Sequence, residues 1–386
     1  MTENRRTNHD IKRINKNRIF RYVISHGRTS NPEMAYELKM SLPTVMSNVK
    51  ELLSEGYLKE AGEMESTGGR KARSVVVSED TGIAVGMDVT QHHIVFVLTN
   101  LTGRNLDRKR VYVPFRNDES WWLRMHDLLE EFLDEHNIDR ERLSGVGISV
   151  PGIVNIEKER ISQSRILGIE DLPFSKIEKY VPYNYKVMND ANAGAFAELF
   201  HADNRNSFFY LSLNNTVGGA LCVNRKLIQG EHFRCGDIAH ATLIPGGDQC
   251  TCGRAGCVEQ YCSAVRLGEI EEDRHLDDTI IHEFFRRLDA GEERETRYWD
   301  LYSDKLALLI DNIHLTFDYD VIVGGYVGSA MGDNIETIRR KVSERAASRG
   351  AIRTNGADFI RPCNYRSSES AFGAALRLVE DLIKTI

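Results

Sequence analysis

The sequence predicts a protein of mixed α/β class, with a small N-terminal unit followed by a larger α/β body. Residues 1–78 contain three short helical patterns and then two strands that flank a basic, glycine-rich loop. From Gly82 onward, apolar strands alternate with helical patterns, which is typical of α/β domains. The body also contains a dense cluster of one histidine and three cysteines. We refer to residues 1–78 as the head and to residues 79–386 as the body.

Length and charge limit the classes of function. A chain of 386 residues is long enough for two or three domains. It contains no apolar run of the roughly 18 residues that a membrane span needs, and its polar start lacks the apolar region of a signal peptide. We therefore expect a cytoplasmic protein without a membrane partner. Up to Arg73 there are 14 Lys+Arg against 9 Asp+Glu, whereas the remainder has 36 against 48. Chance can produce this imbalance. The excess of positive charge in the head nevertheless favours an anionic partner for it.

The first two helices of the head follow from apolar spacing and turn residues. Residues 11–26 carry apolar side chains at roughly helical spacing, and Gly27 ends this helix. Ser30 and Pro32 begin a second helix, with proline in its first turn. The side chains expected to face inward from the first helix are Ile11, Ile14, Ile19, Tyr22 and Val23.

The third helix of the head has an apolar face and a small, polar one. Ser41 can cap it, and we expect Leu42, Val45, Val49 and Leu52 to face inward. Three short helices with a tight turn before the third predict a helix-turn-helix, whose third helix enters the major groove of DNA. Its outward side chains are Pro43, Thr44, Met46, Ser47 and Lys50.

A wing follows, made of a strand, a basic glycine loop over residues 66–73 and a returning strand. Such a loop can lie close to the DNA backbone. The head is therefore predicted to bind double-stranded operator DNA, although a small helical module for protein contacts is the alternative. The predicted DNA contacts are Pro43, Thr44, Ser47, Asn48 and Lys50 from the third helix, and Gly69, Arg70, Lys71 and Arg73 from the wing.

The body divides into two strand-and-helix halves. In the first, strands over residues 83–88, 93–98 and 111–114 precede a helix over 121–135, and strands over 143–150 and 185–188 lead to a helix over 191–200. In the second, strands over 208–213 and 218–223 precede helices over 278–288 and 302–314, a strand over 320–325 and a closing helix from Ser370. Asn189 and Asp190 end a strand, where ligands of such sheets bind.

The histidine and cysteines between residues 240 and 257 have the composition of a structural zinc site. A Cys3His set is a common tetrahedral arrangement for Zn²⁺, and intervening glycines allow the chain to turn tightly around one ion. A disulfide or a chance cluster of buried side chains is the alternative. The predicted ligands are His240, Cys250, Cys252 and Cys257, whereas Cys222, Cys235, Cys262 and Cys363 are expected to be buried apolar residues.

The spacing His-x9-Cys-x-Cys-x4-Cys-x-Glu resembles the zinc loop of the ROK family, which contains sugar kinases and sugar-responsive repressors. The Gly-Gly-Arg of the wing also resembles that of ROK repressors. The resemblance implies a two-lobed, actin-like (ribonuclease-H-like) body with a zinc loop. Lobe 1 would comprise about residues 79–190 plus the helix 370–386, and lobe 2 about residues 191–369.

The resemblance also implies a sugar-binding pocket. Asn189, Asp190 and Glu259 match residues that hold sugar hydroxyls in the family. The family's Glu-x-Gly-His motif reads Asp237-Ile-Ala-His240 here, so the ligand is expected to differ from an ordinary hexose. Arg165 and Gly168 follow the turn at Pro151 and Gly152, and we expect them to lie near the same pocket. The expected effector is a sugar or a sugar phosphate.

The resemblance leaves two functions open: a DNA-binding repressor of carbohydrate metabolism genes, or an ATP-dependent sugar kinase. A zinc-stabilised structural module is a third interpretation of the sequence. A ROK kinase would use Asp190 as general base, but it also needs glycine-rich phosphate turns. The corresponding segments here, residues 88–92 and 214–219, lack the first glycines. We therefore predict a regulator without enzyme activity, and a homodimer or a dimer of dimers to read palindromic DNA.

Overall fold

The computed structural model describes residues 8–63, 73–79, 81–200, 206–267, 278–348, 357–365 and 368–386. Among them, no helix is both long enough and apolar enough to span a membrane. The head and the body are each built as the sequence predicts, with the additions and corrections below.

The head is a helix-turn-helix with a small antiparallel sheet of order β1-β3-β2. Ser30 caps α2 in a capping box with Glu33, and Ser41 caps α3, so both helices begin where the sequence predicts. Lys16 of α1 pairs with Glu51 and Glu55 of α3 and ties the two helices together. The elements are α1 (Asn8–His26), β1 (Thr29–Ser30), α2 (Asn31–Glu37), α3 (Leu42–Ser54), β2 (Leu58–Glu63) and β3 (Arg73–Val77).

Three apolar side chains of the head that were expected to face inward are exposed. Ile11 and Ile14 are 45% and 38% exposed, since the buried part of α1 starts only at Lys16. Leu42 is 42% exposed because it occupies the first turn of α3, ahead of Val45, where the helix meets the core.

Lobe 1 of the body contains a five-stranded sheet of order β11-β7-β4-β5-β6, in which β11, β7 and β4 are parallel. A separate three-stranded sheet of order β10-β9-β8 follows β7. The elements are β4 (Ile83–Val89), β5 (His93–Thr99), β6 (Asn105–Tyr112), α4 (Glu119–Glu135), β7 (Leu143–Val150), β8 (Ile153–Asn155), β9 (Arg160–Ser164), β10 (Ile169–Pro173), α5 (Phe174–Glu178), β11 (Tyr185–Asn189) and α6 (Asp190–Phe200).

Lobe 2 repeats this architecture. Its sheet has the order β14-β13-β12-β15-β16, with β12, β15 and β16 parallel and β13 and β14 antiparallel, which matches lobe 1 strand for strand. The duplicated topology confirms the actin-like body. The elements of lobe 2 are β12 (Phe208–Leu213), β13 (Val217–Val223), β14 (Lys226–Ile228), α7 (Glu259–Cys262), α8 (Asp278–Asp289), α9 (Glu293–Phe317), β15 (Asp320–Gly324), α10 (Gly325–Ala330), α11 (Ile335–Ser348) and β16 (Ile360–Pro362), and the chain ends with α12 (Glu369–Thr385), which returns to lobe 1.

The last helix, α12, joins the head to the body. It packs on α6 and on β4 and β7 of lobe 1. On its other side, Arg21 of α1 makes a bidentate ion pair with Glu380, at 2.9 and 3.1 Å, and Asn17 donates a hydrogen bond to the carbonyl of Ile383. Apolar side chains of the head and of α12, including Phe20 and Val379, belong to one buried cluster. The head therefore docks on the body through a continuous core.

Candidate functional site

The carboxyl end of β11 places Asn189 and Asp190 at the edge of the lobe 1 sheet. The Asn189 amide nitrogen donates to the carbonyl of Gly152, at 3.0 Å, and to Asp190 Oδ1, at 2.8 Å. Asp190 is the first residue of α6, and the same Oδ1 accepts from the amide of Ala191. These bonds fix one carboxylate oxygen of Asp190 in the first turn of the helix. The carboxylate therefore has a structural role and still carries a second oxygen.

Three carboxyls near this edge have raised pKa values because they are buried. Burial raises the pKa of Asp190 to about 6, and burial with the nearby charges of Asp190 and Glu369 raises that of Asp88 to about 7. Burial also raises the pKa of Glu259 to about 7, with Asp237 and Asp190 adding to the effect. Such groups cluster at functional sites, where ligands replace the lost water.

Glu259 is anchored within lobe 2 and lies within electrostatic reach of Asp190 at the start of α6. It begins α7, and its Oε2 accepts a hydrogen bond from the amide of Val217 at 2.8 Å. Asp237 lies close enough to raise the pKa of His240, although burial and then Arg165 lower it overall. Asn189 is thus bonded to Asp190, and electrostatic influence links Asp190, Glu259, Asp237 and His240, whereas their role as one ligand pocket stays a prediction.

Arg165, from the turn between β9 and β10, reaches across to lobe 2. Its Nη1 lies 3.3 Å from His240 Nε2. Arg165 therefore contacts one of the predicted pocket residues, and its role beside a ligand stays a prediction. Asp88 was not predicted as part of the site, although its position at the end of β4, where it accepts from Ser149, is a signal of the same kind.

The metal loop is shaped by tight turns between its four side chains. The amide of Gly253 donates to the Cys250 carbonyl, and the amide of Cys250 donates to the Arg254 carbonyl. Gly256 has a φ of +76°, and a Cβ there would lie 1.7 Å from the carbonyl oxygen of Ile244. Only glycine fits this position, because both its backbone conformation and the space around it exclude a side chain.

The four side chains fit a tetrahedral metal. One ligand atom from each of His240, Cys250, Cys252 and Cys257 lies within 4.8 Å of the others. The Cys252 and Cys257 sulfurs are 3.6 Å apart, and His240 Nδ1 is 3.6 Å from Cys250 Sγ. Sulfurs bound about 2.3 Å from a tetrahedral centre would be roughly 3.8 Å apart, so the spacing suits one ion. It is far longer than the roughly 2.05 Å of a disulfide.

The thiols also have the electrostatics of a cation site. A hydrogen bond from the Arg254 amide lowers the pKa of Cys252 to about 7, whereas burial and the neighbouring thiols raise that of Cys257 to about 12. One thiolate therefore forms easily and disfavours the next. A divalent cation removes this repulsion, since it stabilises all the thiolates at once.

The predicted DNA contacts fall into three groups. Pro43, Ser47 and Lys50 are exposed on α3, and Thr44 is half-buried, with its hydroxyl 2.7 Å from that of Ser41. Arg73 is exposed at the start of β3 and pairs with Glu60 at 3.3 Å. The remaining predicted wing contacts, Gly69, Arg70 and Lys71, lie outside the described residues.

Asn48 is a correction to the predicted DNA contacts. It is only 3% exposed, and its amide nitrogen donates to the carbonyl of Thr44 at 2.7 Å. It follows Ser47 by one residue, so the helical repeat turns it about 100° toward the core. It supports α3 from within and does not lie on the outward face.

The cleft between the lobes contains a cross-lobe ion pair. Arg108 and Arg110 of β6 in lobe 1 donate to the two carboxylate oxygens of Asp278 in lobe 2, at 3.0 and 2.9 Å. Asn214, in the turn after β12, accepts from the amide of Tyr326 at 2.8 Å. Arg110 also lies within electrostatic reach of Asp88.

Comparison with known proteins identifies both parts of the chain. A model of the ROK family matches residues 84–381, and one described as winged helix-turn-helix DNA-binding matches residues 12–59. The xylose repressor of Caldicellulosiruptor bescii is 26% identical over 87% of this chain and 89% of its own length. The dual regulator NagC of Escherichia coli is 20% identical over 95% of this chain and 93% of its own length.

Two solved structures share the fold. A ROK family transcriptional regulator, described as a homologue of the Escherichia coli MLC protein, has a TM-score of 0.72 and 19% identity over 97% of both chains. A ROK family glucokinase from Streptomyces griseus, in complex with glucose and AMPPNP, has a TM-score of 0.62 and 20% identity over 77% of this chain and 99% of its own. The glucokinase matches a smaller share of this chain than the regulator does. With the family model covering most of its length, this chain belongs to the ROK family and carries a winged helix-turn-helix at its N-terminus.

Proposed function

We propose that this chain is a transcriptional repressor of carbohydrate metabolism genes that binds operator DNA with its head and a sugar or sugar derivative with its body. The observation that carries the proposal is the docking of a winged helix-turn-helix on α12, which packs on the helix that begins at Asp190. One chain thus joins a DNA-reading surface to a polar pocket through two packed helices. Two relatives support the proposal by their names, since one is called a xylose repressor and NagC is called a DNA-binding transcriptional dual regulator.

The proposed effector is a polyhydroxylated ligand. Asn189, Asp190, Asp237, His240 and Glu259 offer carboxylate, amide and imidazole groups, which suit several hydroxyls at once. Asp237 is one methylene shorter than the glutamate of the family motif. A site that loses reach at one hydrogen bond discriminates strongly between sugars. This supports an effector that differs from a common hexose at one position.

We propose Zn²⁺ as the ion of the metal loop. Three sulfurs and one imidazole nitrogen are the donor set that structural zinc prefers. His240 would bind through Nδ1, because that nitrogen faces the sulfurs, while Nε2 faces Arg165. The ion would hold the loop between Asp237 and Glu259 in shape and so position the pocket.

Regulation is proposed to pass through α6 and α12 to α1. A ligand on Asp190 touches the first turn of α6, and α6 packs along α12. The head rests on the far side of α12 through Arg21, Asn17 and the shared core. A small shift of α6 would therefore change how two heads are presented to DNA.

The residues in the cleft between the lobes favour a repressor over a sugar kinase. Phosphoryl transfer relies on positioned amides and cations around the nucleotide phosphates. Here the segments that would form the phosphate turns lack their first glycines, and Arg108 and Arg110 are engaged with Asp278. An assay with ATP, Mg²⁺ and a broad sugar panel should give no turnover near about 1 s⁻¹, a common enzyme rate. Turnover that disappears in Asp190→Asn would establish a kinase instead.

The DNA function is tested through Lys50 on the exposed face of α3. Each phosphate contact contributes about one unit to the slope of log affinity against log salt concentration. We therefore expect Lys50→Ala to weaken binding to selected duplex DNA and to lower this slope by about one. Lys179→Ala, which removes an exposed lysine from lobe 1, is the matched control. Equal slopes for Lys50→Ala and the control would refute the assignment of α3 as the DNA-reading helix.

A further inference from the structure

A large cleft, which we call the junction cleft, lies where the head, lobe 1 and lobe 2 meet. Its volume is about 1210 Å³, and its walls come from α1 of the head, from β11, α6 and α12, and from β14 of lobe 2. Among the described residues, its lining includes Asn189 but none of the other predicted effector residues Asp190, Asp237, His240 and Glu259. The junction cleft is therefore a space apart from the predicted sugar pocket.

Positive charge dominates the lining of the junction cleft. Six lysines and arginines line it against two glutamates, Glu159 and Glu380. Four of these cations pair with the same two carboxylates, those of Glu380 and Asp381, at distances from 2.9 to 3.9 Å. A cleft lined by one sign of charge focuses the electric field, so this one attracts anions. The six cations are Arg21, Lys186, Arg225, Lys226, Arg377 and Lys384.

The tight turn between β13 and β14 brings two of these cations to the cleft. Val223 pairs with Lys226, so the turn consists of Asn224 and Arg225. Both have positive φ, 50° and 61°, as in a type I′ turn, where glycine is favoured at the second place. The Arg225 guanidinium donates to the carbonyl of Leu199, which also lines the cleft, at 3.1 Å. An arginine in a backbone conformation that suits glycine indicates a use for its charge.

The rest of the lining is largely apolar and contains an amide oxygen without a partner. Phe196 and Leu227 line the cleft, and the Arg377 guanidinium lies 5.5 Å from the centre of the Phe196 ring. Ile156, also in the lining, is 49% exposed. Asn192 Oδ1 is buried and has no hydrogen-bond partner among the described residues. Because a buried acceptor without a partner is unfavourable, it indicates a donor that these residues do not supply, such as a hydroxyl of a bound molecule.

We propose that the junction cleft binds a small organic anion, a carboxylate or phosphate joined to an apolar body. The lysines and arginines would bind the anionic group, and side chains such as Phe196 and Leu227 would cover the apolar part. Arg21 of the head also lines the cleft and pairs with Glu380, so a bound anion would compete for its guanidinium at the contact between head and body. Binding of the anion depends neither on the sugar nor on the DNA.

Binding of 8-anilinonaphthalene-1-sulfonate to the full chain tests the proposal, since this fluorescent probe joins a sulfonate to an aromatic body. We expect a micromolar Kd and displacement of the probe by decanoate. Decyl maltoside lacks the charge and inorganic phosphate lacks the apolar body, so each should displace the probe at least about tenfold less effectively than decanoate. Displacement by either of them at the concentrations at which decanoate acts would overturn the proposal.

Charge reversal at the cleft tests where the probe binds. Lys226→Glu combined with Lys384→Glu should weaken probe binding at least about tenfold, because repulsive charges replace attractive ones. Lys179→Glu combined with Arg340→Glu changes the net charge equally at two exposed cations outside the lining, and its Kd should stay within about twofold of that of the wild type. A wild-type Kd in the variant of the two cleft lysines would place the probe elsewhere and overturn the proposal.

The apolar part of the cleft has its own matched pair of variants. Ile156→Ser should weaken binding of the probe about threefold, since it removes apolar surface from the lining. Leu123→Ser, at a leucine on α4 that is likewise 49% exposed, should leave the Kd unchanged. Circular dichroism would verify that all variants fold, and both serine substitutions are at exposed side chains. An equal Kd for Ile156→Ser and Leu123→Ser would contradict the proposed apolar contact.

Discussion

Asp190 shows how one side chain can serve both the fold and the site. One of its oxygens accepts from the amide of Ala191 and from Asn189, so it holds the start of α6. Its enclosed position raises its pKa to about 6, which records the loss of water around the carboxylate. Hydroxyl groups of a ligand would donate to the second oxygen of this carboxylate. The same burial makes Asp190 a source of pH dependence in the protein without ligand.

Asp190→Asn is predicted to become more stable relative to the wild type as pH rises. The pKa of Asp190 is raised in the folded state, so folding favours the protonated form, and stability is lost as pH rises from about 4 to about 7. Asparagine does not ionise and keeps the oxygen that accepts from Ala191. The difference in free energy of unfolding between variant and wild type should therefore grow by up to about 1.4 kcal/mol between pH 5 and pH 8.

The measurement is thermal unfolding of both proteins across this pH range. Protonation of the metal loop affects both proteins alike and cancels in the difference. Asp333→Asn, at an exposed aspartate, is the control and should show no such trend. A constant difference for Asp190→Asn would mean that its carboxyl is solvated.

Cys257→Ser is predicted to lose the metal and to destabilise the body. Cys257 is fully buried beside Cys252, and a serine hydroxyl is a poor ligand for Zn²⁺. Elemental analysis should find about one zinc per chain in the wild type and much less in the variant. The Tm should fall by about 10 °C or more, since bound zinc contributes folding free energy. Cys222→Ser, at a buried cysteine in β13, is the control that should retain zinc. Wild-type protein without zinc, purified without chelator, would contradict the assignment.

At the scale of elements, α12 connects the pocket to the head. It packs against α6 on one side and against α1 on the other, and Arg21 and Glu380 mark the second contact. Arg21 is substantially exposed, so the pair by itself contributes little to stability. The ion pair between Arg21 and Glu380 is nevertheless a useful probe, because reversing one of its charges disturbs the contact between head and body.

Arg21→Glu is predicted to weaken the sugar response while leaving DNA binding without sugar nearly unchanged. Two glutamates would then face each other between α1 and α12, whereas α3 is untouched. We expect the change in DNA affinity on adding the effector to shrink about three- to tenfold, within the usual range of coupling energies. Combining Arg21→Glu with Glu380→Arg restores opposite charges and should restore the response. A normal response in Arg21→Glu would mean that this contact does not carry regulation.

The elements that the sequence predicts best are those with strong local signals. Helix α2 starts after Ser30 and α3 is capped by Ser41, as predicted, because the signals of a helix start are local. Helix α9 begins at Glu293, nine residues before the predicted start at 302, since its first turns are polar on the exposed side. The short strands β8, β9 and β10 and the helix α11 were not predicted, because their apolar patterns are brief or mixed.

At the scale of the whole molecule, the duplicated sheet order could be inferred only through the family resemblance. Strand pairing between distant segments, such as β12 with β15, leaves no local trace in one sequence. The docking of the head on α12 could not be predicted from the sequence either, because Phe20 and Val379 are far apart in the chain and join one core only in the folded protein. Asn48 is a different case, since helical spacing sets it on the buried face with Val45 and Leu52, and it was assigned to the DNA surface only because its side chain is polar.

The most direct test of the proposed function is the effect of sugars on DNA binding by the full chain. Duplex DNA would be selected from a random library with the wild-type protein, and its affinity measured by fluorescence anisotropy against a panel of sugars and sugar phosphates. We predict that at least one member changes the Kd about tenfold or more, a coupling of about 1.4 kcal/mol. Asp190→Asn should bind the same DNA without sugar and lose this change. Failure to select any DNA, or a Kd that no member of the panel alters, would contradict the account, as would an unchanged response in Asp190→Asn.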